Sequence, residues 1–267
     1  HGKNPIGGAI NRITRKPTGE FGGQACVRYG EWNRLQHRLS VDLPAIGDFK
    51  VKLGYSVSNQ GGYWHNGSTG KDFGEQFMVA GRAEVLWEPS DRFSARYVYD
   101  ISDAEGTPTM MAISAIGTSF PAALKPLVTP YVYPDRPGRD DVSAQSALQS
   151  DFRVTGHALT LNWEAGETPL GDLTIRSITA RRTLRTRSQS DFDGTKSDLV
   201  RFILNNNYKA FSQEVQLIGS SDNIQYTVGG FYFDDDYDVY NPRWNFQLGG
   251  NKYDLSDRGG GNRSIAG

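Results

Sequence analysis

The chain has 267 residues, enough for one large domain, and its 29 Lys and Arg against 30 Asp and Glu leave a formal net charge of -1. That balance carries no electrostatic footprint for nucleic acid, and the single Cys26 excludes an intrachain disulfide. No stretch approaches the ~20 consecutive apolar residues of a membrane helix, which leaves open a membrane β-barrel, whose strands alternate and average out polar.

The first two dozen residues run from a glycine-rich turn, Asn4-Pro-Ile-Gly-Gly-Ala-Ile-Asn11, into a short alternating strand, Ala9 to Arg15, broken by Pro17 and Gly19. His1-Gly-Lys-Asn4 has no apolar core behind it and is not a signal peptide. From there period-2 alternation recurs. Leu35, His37, Leu39, Val41 and Leu43 oppose Gln36, Arg38, Ser40 and Asp42; Phe49, Val51, Leu53, Tyr55 and Val57 oppose Lys50, Lys52, Gly54 and Ser56. Phe77 to Trp87 and Phe93 to Ile101 follow the same rule, as do Leu159 to Trp163 and Val215 to Leu217. Between Leu173 and Leu184 the apolar residues change face after Ile175, which predicts a bulge or register change. About nine strands are expected, several near the ~9–11 residues that a tilted strand needs to cross a bilayer.

The connections sort by length. Pro44 to Asp48, Pro89 to Asp91, Gly166 to Asp172 and Ser220 to Asn223 are short and built from turn residues. They alternate with long connections expected at 61–74, 104–155 and roughly 188–208, and another after Asp238; only Glu31 to Arg34 is a brief exception. Tight turns on one side and long loops on the other fit an outer-membrane barrel rather than a soluble sandwich. Trp87 and Trp163 near short turns, and Tyr29, Trp32, Tyr63 and Trp64 toward the long loops, fit aromatic girdles at the two membrane interfaces.

The segment NPIGGAIN followed by ITRKPTGEFGG resembles the junction of plug and barrel in TonB-dependent outer-membrane receptors. The motif residues are Asn4, Ile6, Gly7, Gly8 and Asn11. Phe211-Ser-Gln-Glu-Val-Gln-Leu217 resembles a strand that follows a long outer loop in that family, and Ile224 to Phe233 its hairpin partner. Leu173 to Ala180 with Asp191-Phe-Asp-Gly194 resembles the preceding strand and loop. The resemblance implies an all-β fold: an antiparallel up-and-down transmembrane β-barrel, here partial, preceded by the end of a plug domain. Residues 1–17 would be the C-terminal end of the plug and 18–267 the N-terminal portion of the barrel. Residues 1–16 would pack on the inner wall, with Arg12, Arg15 and Lys16 facing carboxylates such as Glu84, Asp100 or Glu214. Neither a TonB-box segment and plug body nor a closing strand set is found, so a fragment is expected, since plugged transporters have roughly 22 strands.

No catalytic constellation stands out. The four histidines, His1, His37, His65 and His157, lack metal-ligand spacing; Asp191-Phe-Asp-Gly194 reads as a turn rather than a calcium loop; and no nucleophile elbow supports a Ser/His/Asp triad. An enzyme, a cofactor and a metal site are not expected. Ligand-binding candidates lie in the long connections: Trp64 and His65 in the first, and Met110, Met111, Tyr131, Tyr133 and Arg136 in the 104–155 loop, where thioethers, aromatics and arginines suit an amphipathic, anionic ligand as well as loop self-packing. The function implied by the resemblance is energised import of a scarce nutrient, an iron–siderophore, cobalamin or an oligosaccharide. The partners would be outer-membrane lipid, an extracellular small-molecule ligand and a TonB-type energy-coupling protein engaging a plug segment beyond this sequence; nucleic acid is not among them. A passive porin-like outer-membrane channel is the alternative, which the plug-end motif disfavours, followed by a secreted β-sandwich binding protein.

Overall fold

The structure is a computed structural model, and it describes residues 14–108, 111–132, 141–142, 149–169, 171–197, 199–221, 223–245, 252–257 and 261–266. The plug-end motif, Asn4 to Asn11, lies outside the described residues.

Eleven strands form one antiparallel sheet. In chain order the wall consists of β1 (Gly22–Gly30), β2 (Arg34–Asp42), β3 (Phe49–Gln60), β6 (Gln76–Ser90), β7 (Phe93–Gly106), β9 (Gln149–Thr168), β10 (Gly171–Asp191), β11 (Val200–Ser220) and β12 (Gln225–Asn245). Each pairs with the next, so the sheet is an up-and-down meander. β13 (Lys252–Asp257) and β14 (Gly261–Ala266) both pair with β12, along Val239–Trp244 and Phe231–Asp236 respectively. Among the described residues β1 pairs only with β2, so the sheet is not closed. Outside the wall, β4 (Trp64–Asn66), β5 (Asp72–Phe73) and β8 (Asp141–Val142) make a small separate sheet.

The predicted faces are borne out. Phe49, Leu53 and Tyr55 stand exposed on one face, at 46%, 45% and 52%, while Lys50 and Lys52 on the other face bind Glu88 at 2.7 Å and Asp42 at 3.1 Å. A sandwich would bury its apolar face under a second sheet; here nothing among the described residues covers it, which is how a strand facing lipid is built. Cross-strand register carries the apolar face around the wall, Leu53 beside Ala83 and Val57 beside Val79. Aromatics gather at the short-turn end. Phe49 stacks on Trp87 with centroids 5.8 Å apart, Trp87 meets Phe93 edge-on, and Trp163 lies opposite Phe93.

The register also shows strand tilt. A row perpendicular to the strands that starts at Phe49, the first residue of β3, runs through Trp87, Ala95, Leu161 and Ser177 to Val215, well inside β11. The short turns therefore step along the register from strand to strand, as the stagger of a barrel wall demands.

Three expectations need correction. The later strands are longer than expected: β9 has 20 residues and β10, β11 and β12 have 21 each, about twice what a bilayer crossing needs. The connection expected over 188–208 shrinks to 192–199, because β10 runs to Asp191 and β11 starts at Val200. The opening expected after Asp238 is strand as far as Asn245. The irregularity expected near Ile175 is present: the β9–β10 register shifts between Leu173 and Thr174. Beyond it, polar Ser177, Thr179 and Gln213 share the outward face and satisfy one another, with Gln213 Nε2 donating to Ser177 Oγ at 2.9 Å and Thr179 Oγ1 donating to Gln213 Oε1 at 2.6 Å. An amide left unpaired against lipid would cost several kcal/mol.

Candidate functional site

Two regions carry polar chemistry that the wall does not need for closure. The first is on the inner face, at the β6–β7 hairpin. The tight turn after Pro89 brings Leu86 opposite Arg96 and Glu84 opposite Val98, so the side chains of Arg82, Glu84 and Arg96 converge on one face. Glu84 is 1% exposed. Its Oε1 accepts Arg96 Nε at 2.7 Å and its Oε2 accepts Arg82 Nη2 at 3.2 Å. Both guanidinium groups have donors to spare, and each Nη2 donates to the same acceptor, Thr14 Oγ1, at 3.1 Å.

Thr14 belongs to the segment before the wall, whose described residues, 14–21, form no strand. Pro17 behind it is buried. Gly19, at φ +79°, then turns the chain toward β1, a left-handed conformation that favours glycine. The turn is fastened at the short-turn rim: Thr18 N donates to Asp42 Oδ1 at 3.0 Å and Ala45 N to Gly19 O at 2.8 Å. Lys16 lines a recess of about 320 Å³ with Arg96, Asn162 and Arg176. Among the described residues of this segment, the contact with the wall is hydroxyl anchoring at Thr14 rather than the expected charge pairing. Glu84 is taken by Arg82 and Arg96, Asp100 by Arg182 at 3.0 Å, and Glu214 by the Gln216 amide. Arg15 is exposed, and Arg12 lies outside the described residues.

The second region is at the long-loop end. The β1–β2 turn places Trp32 and Asn33 both at φ +54°, a left-handed pair matched to hairpin twist but costly for a tryptophan. Trp32 packs on Tyr63 with centroids 5.2 Å apart, and Tyr63 meets Trp64 edge-on at 5.4 Å. His65 Nδ1 lies 3.0 Å from Asp72 Oδ1, and β4 pairs in parallel with β8, His65 beside Asp141. Trp64 and His65 are thus brought together and joined to the far end of the 107–148 connection.

The middle of that connection packs elsewhere. Ile113 bridges to Val132, next to Tyr131 at the end of a short helical run. With Phe120, Leu124 and Val128 it encloses a cavity of about 220 Å³ against Phe192 and Leu199 of the β10–β11 loop. The loop is organised by Asp193, whose Oδ2 accepts the amides of Leu199 at 2.9 Å and Val200 at 2.8 Å and whose Oδ1 accepts Thr195 N at 2.9 Å. Gly194 sits at φ +62° with the Met111 carbonyl so close that a Cβ would lie 2.7 Å from it. Met111 and Tyr131 therefore belong to this loop cluster, and Trp64 and His65 to the small sheet. Met110, Tyr133 and Arg136 lie outside the described residues. Arg82, Arg96 and Thr14 escaped the sequence reading; alternation put Arg82 beside Glu84, but the diagonal to Arg96 needs the hairpin register.

No family model matches the chain. Among solved structures, the siderophore receptor PiuA from Acinetobacter baumannii aligns with a TM-score of 0.67 at 12% identity, over 90% of this chain and 34% of that one. The ferric citrate transporter FecA in its unliganded form aligns at 0.63 and 14% identity, over 97% and 36%. The ferric yersiniabactin uptake receptor FyuA from Yersinia pestis aligns at 0.60 and 11% identity, over 97% and 45%. The chain spans between about a third and just under half the length of these structures. At such identities the likeness shows the fold: this chain has the architecture of part of the barrel wall of these outer-membrane receptors.

Proposed function

We propose that the chain is part of an energised outer-membrane receptor for a scarce nutrient, with residues 1–17 forming the C-terminal end of a plug and residues 18–267 the first part of the barrel. The observation that carries this reading is the position of Thr14 on the polar inner face, held by two wall arginines, immediately before the chain joins the wall. A passive pore needs no plug, and a chain lying on its inner face would only narrow it. The shared fold supports a ferric siderophore as the first candidate cargo, because PiuA, FecA and FyuA are all named for ferric or siderophore ligands. Cobalamin and oligosaccharides follow. Trp64, His65, Met111 and Tyr131, together with Met110, Tyr133 and Arg136, are the proposed ligand contacts at the long-loop end. A TonB-type coupling protein would supply the pull, acting through the plug.

The test is uptake of labelled ferric siderophores, cobalamin and maltodextrins by cells expressing the whole receptor, with and without an uncoupler. Saturable uptake of one class, abolished by the uncoupler, is expected. Uptake that rises linearly with concentration and ignores the uncoupler would replace this reading with a passive channel.

A further inference from the structure

We infer that Glu84, Arg82, Arg96 and Thr14 form a clasp that fixes the plug end to the wall at Thr14, with Glu84 as its positioning residue. Two guanidinium groups on one wall face repel each other unless a carboxylate stands between them. Glu84 is that carboxylate, and it is almost completely buried. Because it uses Nε of Arg96 and one Nη2 contact of Arg82, it fixes both side chains in orientations that aim their remaining donors at a single oxygen, Thr14 Oγ1. Among the described residues, the charges that face the group are these: Lys52, directly across from Glu84, is bound to Asp42; Asp100, across from Arg82, is bound to Arg182; and Lys16 and Arg176 line the neighbouring recess, which has no carboxylate in its lining, and a larger one shared with Asp48, Glu88, Asp91 and Glu164. The wall half of the clasp is therefore complete without Thr14. A hydroxyl can leave without uncovering a buried charge, whereas a salt bridge at the same place would leave one behind. This makes the clasp a contact that holds the segment at rest and releases it under load with the wall network unchanged.

The inference deepens the proposed function and rests on it, since a clasp matters only if the segment has to move. It is tested on the full receptor in outer membranes, with a nitroxide spin label attached at position 15 (Arg15→Cys in a Cys26→Ser background). In the parent, the anchored backbone at Thr14 is expected to restrict the label, although the side chain at position 15 is exposed. Thr14→Val removes the acceptor while keeping the shape, and the mobile fraction is expected to rise roughly tenfold, because two hydrogen bonds to charged donors are lost. Thr14→Ser keeps the acceptor and restores immobility, a rescue that a mere packing role would not give. Glu84→Gln, which cannot hold both guanidinium groups, should mobilise the label like Thr14→Val. Because Thr14 lies outside the wall, its variants test the clasp even if Glu84→Gln fails to fold. A label as immobile in Thr14→Val as in the parent would overturn the clasp. Uptake that ignores the uncoupler would overturn the function while leaving the spin-label result standing.

Discussion

Lys52 and Glu84 face each other across the β3–β6 pair, yet each is bound to another residue: Lys52 to Asp42 at 3.1 Å, and Glu84 to Arg82 and Arg96. These inner-wall charges thus form two separate groups, one neutral and one with an excess positive charge, rather than one continuous ladder. Removing a member of one group should leave its neighbours intact.

Glu84→Ala takes the only carboxylate from between two arginines whose side chains are 38% and 23% exposed. Removing one partner of a buried ion pair typically costs ~3–5 kcal/mol, and partial exposure of the arginines places this change at the low end of that range. Urea unfolding in lipid vesicles, followed by tryptophan fluorescence, should show a clearly lowered midpoint. An unchanged midpoint would mean that the network contributes nothing to the wall.

Leu53→Lys places a charge on the exposed apolar face, two residues from Tyr55. At mid-membrane such a change costs ~2–4 kcal/mol, so insertion into vesicles should fall steeply. Ser56→Lys, on the opposite face, should insert as the parent does. Equal insertion of the two would show that neither face meets lipid.

Asp193→Ala removes the acceptor for the amides of Val200 and Thr195 and one of two acceptors for the Leu199 amide, which also donates to Ser197 O at 2.9 Å. An orphaned buried amide costs about 1–3 kcal/mol, and here that cost is local, because the wall strands on either side have their own ladders. Hydrogen exchange at Val200 should accelerate at least tenfold while exchange in the middle of β11 stays slow. Uniform acceleration along β11 would argue that the loop is coupled to the whole wall.

Trp32→Gly releases a left-handed tryptophan, a conformation that costs roughly 1–2 kcal/mol for most residues, and gives up its packing on Tyr63. Stability should therefore change little. If Trp32 extends the Trp64 platform, ligand affinity should fall severalfold, measured by binding to whole cells. Unchanged affinity would confine Trp32 to a girdle role.

The inner and outer faces of β3 were legible because Phe49 to Val57 alternate without a break, and a one-residue slip would have put lysines into lipid. Strand length was not legible. Above the apolar band both faces meet water, so alternation ceases to be required, and Asn205-Asn206-Asn207 reads as loop although it is paired with Val239 and its neighbours. The Arg96–Glu84 contact was hidden for a different reason. It depends on how two strands register across a turn, which no single-strand pattern encodes. Thr14 was invisible as an anchor because a threonine in a basic segment carries no signature of its own.

The length of β9 to β12 has a consequence for encounter with solutes. At about 3.3 Å per residue and a tilt near 40°, a 21-residue strand stands roughly 50 Å tall, against an apolar band of about 25 Å. Some 25 Å of paired β-structure then lies beyond the apolar band. In a membrane, a solute arriving on the long-loop side would then meet paired backbone before it met the apolar band.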